Sequence, residues 1–247
     1  MAKFKQLNQF NISIDFINVS NNIKNYMLYS VAHYSNDMFY RILIPNLFKK
    51  YEKVIYLDCD IMVQRDVAEL YNINISDYIM GVVYNPETDF FSKYRKNELG
   101  LDNDKYFNSG ILLLNIGLCN SFEFERKCFD LLNKYTNLSC PDQDILNMVC
   151  KEKIKFIDER WNFQWGYLFA LDCIKDYKQK YLDIAKEPFI VHFTTSIKPW
   201  NYKDNEFAKR WWEYAKNSPY YKNRWFENIF SIKNEPIRQQ HKIITIL

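Results

Sequence analysis

The apolar run Val54-Ile55-Tyr56-Leu57 stops at Asp58-Cys59-Asp60, and this abrupt change from hydrophobe to paired acid constrains the chain more than any other stretch. Four residues dominated by β-branched and aromatic side chains read as a strand. A strand sends side chains i and i+2 to one face, so the spacing predicts that both carboxylates point together while Cys59 packs on the far side. Two hard oxygen donors at a strand's carboxyl end suit Mg²⁺ or Mn²⁺, and open α/β sheets take ligands outside the carboxyl ends of their strands. Two acids that only open a loop, by capping or solvation, would give the same pattern.

The remaining sequence alternates between short apolar runs and helical periodicity. Ile12 to Val19, Ile79 to Tyr84, Ile111 to Leu114 and Phe189 to His192 read as further strands. Ser35 to Lys50, Phe122 to Tyr135 and Pro141 to Lys151 read as helices, the first kinked at Pro45. That alternation predicts an α/β fold with a mostly parallel sheet. Beyond about residue 200 the pattern turns helical, aromatic and basic. The simplest partition is a catalytic-type domain over residues 1–204 and a helical tail over 205–247. With 247 residues, 48% of them hydrophobic, the chain can bury a sizeable core.

Charge and cysteine content exclude other classes. The 33 basic and 30 acidic residues nearly cancel, so the composition predicts no nucleic-acid partner. No run approaches the ~18 apolar residues of a membrane span, and the start MAKFKQLNQF lacks an apolar signal region; the expected location is the cytoplasm. The six cysteines form no CxxC pair and no zinc-like spacing, which predicts reduced thiols.

Four clusters join the Asp pair as candidates. Tyr106-Phe107-Asn108-Ser109-Gly110 sets an amide and a flexible glycine before the run Ile111-Leu112-Leu113-Leu114-Asn115, a pattern that by itself reads as a turn. Cys140-Pro141-Asp142-Gln143-Asp144 opens a helix, with proline at its first position and acids that also compensate the dipole. His192 ends the stretch Pro188-Phe189-Ile190-Val191, where an imidazole is either a ligand or a satisfied core residue. Lys198-Pro199-Trp200 supplies a point charge suited to a diphosphate oxygen, or a surface lysine in a turn.

In order, VIYLDCDIMV, YFNSGILLLNI, PDQDILN, WNFQW and VHFTTSIKPW resemble the successive signatures of glycosyltransferase family 8. Those are retaining, UDP-sugar-dependent enzymes that include bacterial lipooligosaccharide galactosyl- and glucosyltransferases and glycogenin. The resemblance runs from about Ile12 to Trp200 and implies a nucleotide-diphospho-sugar transferase (GT-A, Rossmann-like) fold. It implies transfer of galactose or glucose from a UDP-sugar, with Mn²⁺ (or Mg²⁺), to a saccharide or lipid-linked saccharide in lipopolysaccharide or other surface-glycan synthesis. By the same resemblance Asp58, Asp60 and His192 hold the metal, and Asp58 also reaches the ribose. Lys198 meets the diphosphate, Arg41 approaches the donor, and Asn108, Asp142 and Gln143 contact the donor sugar near its anomeric carbon. Retention then proceeds either by same-face attack of the acceptor or through a glycosyl intermediate on Gln143 or Asp142.

Two departures accompany the resemblance. Thr195 stands where the family carries glycine. The family's first strand and helix, which hold the uracil, normally lie well before the segment matched by Ile12 to Val19, so an N-terminally shortened chain is expected. In the tail, Phe207-Ala208-Lys209-Arg210-Trp211-Trp212 and Tyr220-Tyr221-Lys222-Asn223-Arg224-Trp225-Phe226 interleave aromatics with cations, as peripheral membrane segments and basic helices packed on a protein body both do. Two competing functions are a haloacid dehalogenase-type phosphatase with Asp58 as nucleophile, and an inactive sugar-binding remnant.

Overall fold

The computed structural model describes residues 13–23, 36–86, 88–101, 105–135, 137–202, 204–218 and 243–246. The chain begins with β1 (Ile14–Ile17) and the single turn α1 (Ser20–Ile23), and resumes as a 3₁₀ segment, Asn36–Leu43, that runs into α2 (Ile44–Leu47). Then come β2 (Lys53–Leu57), β3 (Ile61–Val63), α3 (Val67–Tyr71), β4 (Met80–Tyr84), α4 (Asp89–Glu98) and β5 (Phe107–Asn115). Helices α5 (Ile116–Ser121), α6 (Phe124–Leu132) and α7 (Pro141–Cys150) lead to β6 (Ile154–Phe156) and β7 (Phe163–Gln164). The described chain ends with α8 (Lys178–Ile184), β8 (Ile190–His192), α9 (Glu206–Asn217) and β9 (Ile243–Ile246).

Three sheets are formed: β2-β5-β4-β6, β3-β8-β7 and β1-β9. The expected mostly parallel sheet is corrected here to a mixed one. β5 runs antiparallel to both β2 and β4, β3 antiparallel to β8 and β1 to β9, while only β4-β6 and β7-β8 are parallel among the described pairs. The cause is that Ile111 to Leu114 are all buried, and a run apolar on both faces reads the same in either direction.

Local chemistry explains other differences. Pro45 cannot donate a hydrogen bond, so the expected helix from Ser35 to Lys50 divides into the 3₁₀ segment and a short α2 with the proline in its first turn. The expected turn at Tyr106 to Gly110 is mostly strand, because Phe107 pairs with Tyr84 and Asn108 with Val83. The register between β4 and β5 shifts between Val82 and Val83, so Ser109-Gly110-Ile111 bows out of that pairing. The tail is not purely helical, since the β-branched segment Ile243–Ile246 pairs with β1.

The larger core lies between the four-stranded sheet and the helices, with Phe39, Ile42, Leu112, Leu114, Phe124 and Leu146 at its centre. A second cluster joins Met62, Phe163, Trp165 and Phe193 to Phe207 and Ala208 of α9. The aromatics at the start of α9 thus face the body; Trp212 Nε1 donates to Pro199 O at 2.9 Å, and Trp211 lies 5.5 Å from Trp200. The segment Tyr220 to Phe226 lies outside the described residues. Among the described residues no helix is long and apolar enough to cross a membrane.

Candidate active site

Pairing between distant strands builds the acidic end of the site. Asp58 N–H donates to Gly110 O at 2.8 Å, which extends the β2-β5 ladder by one step beyond Leu57. The chain then bends through Cys59 and Asp60 into β3, and Ile61 pairs with His192 of β8. The carboxylates therefore converge through a bend and a second sheet rather than by alternation along one strand. Cys59 is exposed at that bend instead of packed on a far face, because the strand has already ended.

Asp58, Asp60 and His192 bring ligand atoms within 4.8 Å of one another. His192 Nε2 is 3.3 Å from Asp60 Oδ1 and 3.6 Å from Asp58 Oδ2. Two carboxylate oxygens and one imidazole fit a hard to borderline divalent cation such as Mn²⁺. Lys198 Nζ lies 2.6 Å from Asp60 Oδ2 and also donates to Phe193 O. Burial works to raise the Asp60 carboxyl, but His192 and Lys198 outweigh it and hold its pKa below the usual carboxylate range.

Gly110 is what lets these groups meet. A Cβ there would stand 2.2 Å from His192 Cε1 and 2.9 Å from Asp58 Oδ2, so this glycine is required for close approach and not, as its sequence context suggests, for a flexible turn. Gly166 has the same function one layer away, where a Cβ would meet Thr195 Cγ2 at 2.7 Å. Thr195 itself has φ of 73°, a left-handed conformation that favours glycine, which accounts for the residue expected at that place.

Arg41 holds the floor of the site. Its Nη1 donates to Ser109 O at 2.7 Å and to Ser109 Oγ at 2.8 Å, Nη2 donates to Asp58 Oδ1 at 2.9 Å, and Nη1 lies 3.2 Å from Asp142 Oδ2. Burial opposes the Arg41 charge, but Asp142 and Asp58 more than offset it and raise its pKa. Asp142 is buried at the start of α7; burial pushes its carboxyl up, and Arg41 and Ser109 reverse only part of that shift. Tyr56, unnoticed in the sequence, donates its hydroxyl to Asp58 Oδ1 and stacks under Arg41, whose guanidinium is 4.7 Å from the ring centre.

A chain of hydrogen bonds links the two halves and assigns a direction to each bond. Asp144 accepts from the Tyr106 hydroxyl, which accepts from Gln143 Nε2 at 3.1 Å. Gln143 Oε1 accepts from Asn108 Nδ2 at 3.0 Å, and Asn108 Oδ1 accepts from Asn162 Nδ2 at 2.8 Å. Asn162 Oδ1 is then an acceptor for His192 Nδ1, 2.9 Å away. Donation from Nδ1 to Asn162 turns Nε2 toward the two aspartates, the orientation a metal ligand needs when Nε2 carries no proton. Nothing in the sequence alone places Asn162 in this role; the parallel pairing of Gln164 with His192 brings it there.

A cavity of about 780 Å³ is lined by Asp60, Lys198, Asn108, Gln143, Tyr106 and Arg95 together. All eight candidate residues, Arg41, Asp58, Asp60, Asn108, Asp142, Gln143, His192 and Lys198, face it.

The sequence profile of Glycosyl transferase family 8 matches residues 1–204. The chain belongs to glycosyl transferase family 8. Membership in a glycosyltransferase family sets aside the phosphatase alternative. Among family relatives, the chain is 29% identical over 213 residues to general stress protein A of Bacillus subtilis, covering 81% of this chain and 73% of that protein. It is 28% identical over 180 residues to the lipopolysaccharide glucosyltransferase WaaO of Escherichia coli, covering 70% of this chain and 51% of the enzyme, so the match spans about half of that relative. The structure of galactosyltransferase LgtC in complex with donor and acceptor sugar analogues superposes with a TM-score of 0.64 at 23% identity, over 83% of this chain and 75% of that one. The fold is the GT-A fold of family 8 glycosyltransferases.

Proposed function

We propose that this protein is a retaining hexosyltransferase that moves galactose or glucose from a UDP-sugar to a saccharide acceptor, in the synthesis of lipopolysaccharide or another surface glycan. The observation that carries this reading is the convergence of Asp58, Asp60 and His192 beside Lys198, at one end of a cavity floored by Asn108, Asp142 and Gln143. Residues 1–204 form the catalytic unit, working in the cytoplasm or on the inner face of the membrane, and residues 205–247 form a tail in which the sequence of Tyr220 to Phe226, rather than the body-facing aromatics of α9, is suited to peripheral membrane contact with a lipid-linked acceptor.

Asp58, Asp60 and His192 would hold Mn²⁺ or Mg²⁺, which when bound offsets negative charge on the departing diphosphate. Lys198 adds a movable cation: released from Asp60, its ammonium reaches a diphosphate oxygen. Asp58 also reaches the donor ribose, and Arg41 positions Asp58 against it. Asn108, Asp142 and Gln143 hold the sugar near its anomeric carbon. The bond from that carbon to the β-phosphate oxygen breaks, the acceptor hydroxyl attacks the same face, and its proton passes to the departing phosphate oxygen. This route is favoured over a glycosyl intermediate because both candidate nucleophiles are already engaged: Gln143 Oε1 accepts from Asn108 Nδ2 and Ser109 N–H, and Asp142 Oδ2 accepts from Ser109 Oγ and lies 3.2 Å from Arg41 Nη1.

Calorimetric titration of UDP, with Mn²⁺ or with EDTA, tests the reading. Binding that depends on manganese and is lost in Asp60→Asn is expected. Binding indifferent to both, or none in a folded protein, overturns it in favour of an inactive remnant.

A further inference from the structure

The far end of the cavity holds a buried cation that the proposed donor chemistry does not use. Arg95 of α4 is 3% exposed, lines the cavity, and has no hydrogen-bond partner for Nη1. Its guanidinium lies 3.7 Å over the Tyr106 ring and 5.7 Å from the Phe91 ring, so its plane is fixed by aromatic faces rather than by an acid. Asp144 is the carboxylate whose charge it influences, but both Asp144 oxygens are already engaged, one by the Tyr106 hydroxyl and the other by the Tyr94 hydroxyl and Cys140 N–H. A buried guanidinium that no carboxylate meets directly is costly to maintain, and an incoming anion relieves that cost.

We propose that Arg95 is a specificity residue for the acceptor, and that it binds a carboxylate or phosphate carried by the acceptor saccharide. A sugar hydroxyl would satisfy Nη1 with a neutral bond; an anionic oxygen forms the stronger, charge-assisted one. The assignment to the acceptor follows from position, and it rests on the donor reading given above. A chain of contacts runs from Arg95 through Tyr106, Gln143, Asn108 and Asn162 to His192 and Asp60, so the residues assigned to the transferred sugar stand between Arg95 and the acidic end, and the transferred hexose is neutral. Asn85, Thr88 and Tyr167 complete the wall beside Arg95 and supply polar groups for a second sugar.

The test titrates glucuronic acid, glucose 6-phosphate and glucose into the wild type, Arg95→Gln and Arg95→Lys, with and without UDP and Mn²⁺, followed by saturation-transfer NMR. The charged sugars are expected to bind the wild type about tenfold or more tightly than glucose, as a charge-assisted hydrogen bond allows. R95Q should bring all three to similar affinity, R95K should keep part of the preference, and UDP affinity should be the same in every variant. Equal binding of neutral and charged sugars by the wild type, or a preference that survives R95Q, overturns the proposal. So does an Arg95-dependent preference for UDP-glucuronic acid over UDP-glucose in a parallel displacement titration, which would assign the anion to the donor. Failure of UDP to bind while the charge preference persists would count against the donor reading alone.

Discussion

The two ends of the proposed reaction site, one assigned to the diphosphate and one to the sugar, are built differently. At the diphosphate end, Asp58 and Asp60 each keep 22% of their side-chain surface exposed and are held mainly by charge, from Arg41, Lys198 and His192. At the sugar end, Arg41 and Asp142 are 9% and 10% exposed, and directed hydrogen bonds join Arg41 Nη1 and Asp142 Oδ2 to Ser109 of β5. The sugar end is therefore shaped before any ligand arrives, whereas the diphosphate end is a balance of charges that a cation and a diphosphate can rearrange. Lys198 illustrates the second case: the ammonium that pairs with Asp60 would become available to a diphosphate if a cation took its place.

Mutations separate these two principles. The largest effect is expected for Arg41→Met, which strands buried Asp142 and part-buried Asp58; breaking such a pair costs about 3–5 kcal/mol, measured by urea unfolding. Acid should lessen this loss. Burial already raises the Asp142 pKa and Arg41 holds part of that rise back, so removing Arg41 raises it further. A carboxyl with a raised folded-state pKa gains relative stability as pH falls through that pKa, and the gap between R41M and wild type should narrow in that direction. A gap that does not change with pH would show that Arg41 acts by packing alone.

Gly110→Ala comes next. Its Cβ would collide with His192 and Asp58, and overpacking of this kind costs roughly 1–3 kcal/mol; manganese-dependent UDP binding should fail first. If G110A bound UDP and Mn²⁺ normally, the diphosphate end would be far more adaptable than its geometry suggests. Asn162→Ala frees His192 to choose either tautomer, and loss of such a supporting partner typically lowers metal affinity about 10–100-fold. Its unfolding free energy should change less than that of R41M. The smallest effect is expected for Thr195→Gly: release of a left-handed threonine, worth about 1–2 kcal/mol, is partly cancelled by the added chain entropy of glycine. Thermal unfolding should show a small rise in midpoint, and a fall would mean that the Thr195 side chain contributes contacts outweighing its strain.

Several features were legible before folding was considered. Val54 to Leu57, Ile79 to Tyr84 and Phe189 to His192 appear as strands close to their expected limits, and Pro141 opens α7 where its chemistry requires. Arg41 and the acids that surround it could be picked out individually, but not the fact that one guanidinium joins Asp58, Ser109 and Asp142. Gly110 was visible as a glycine and misread as a turn, because the collision that demands it involves a histidine 82 positions later, from residue 110 to residue 192. Arg95 could not be read as special at all: in the sequence it is one cation among the polar residues of α4, and only its burial over Tyr106 leaves Nη1 without a hydrogen-bond partner.

Sequence by itself determined which residue types were available and which stretches were apolar enough to become strands, because propensity and periodicity are local properties. Tertiary structure decided strand direction, the meeting of Asp60 with His192 and Lys198, and the hydrogen-bonded chain from Asp144 through Asn162 to the imidazole. Those depend on contacts between segments far apart in the chain. An apolar run such as Ile111 to Leu114 carries no direction of its own until β2 and β4 pair on either side of it.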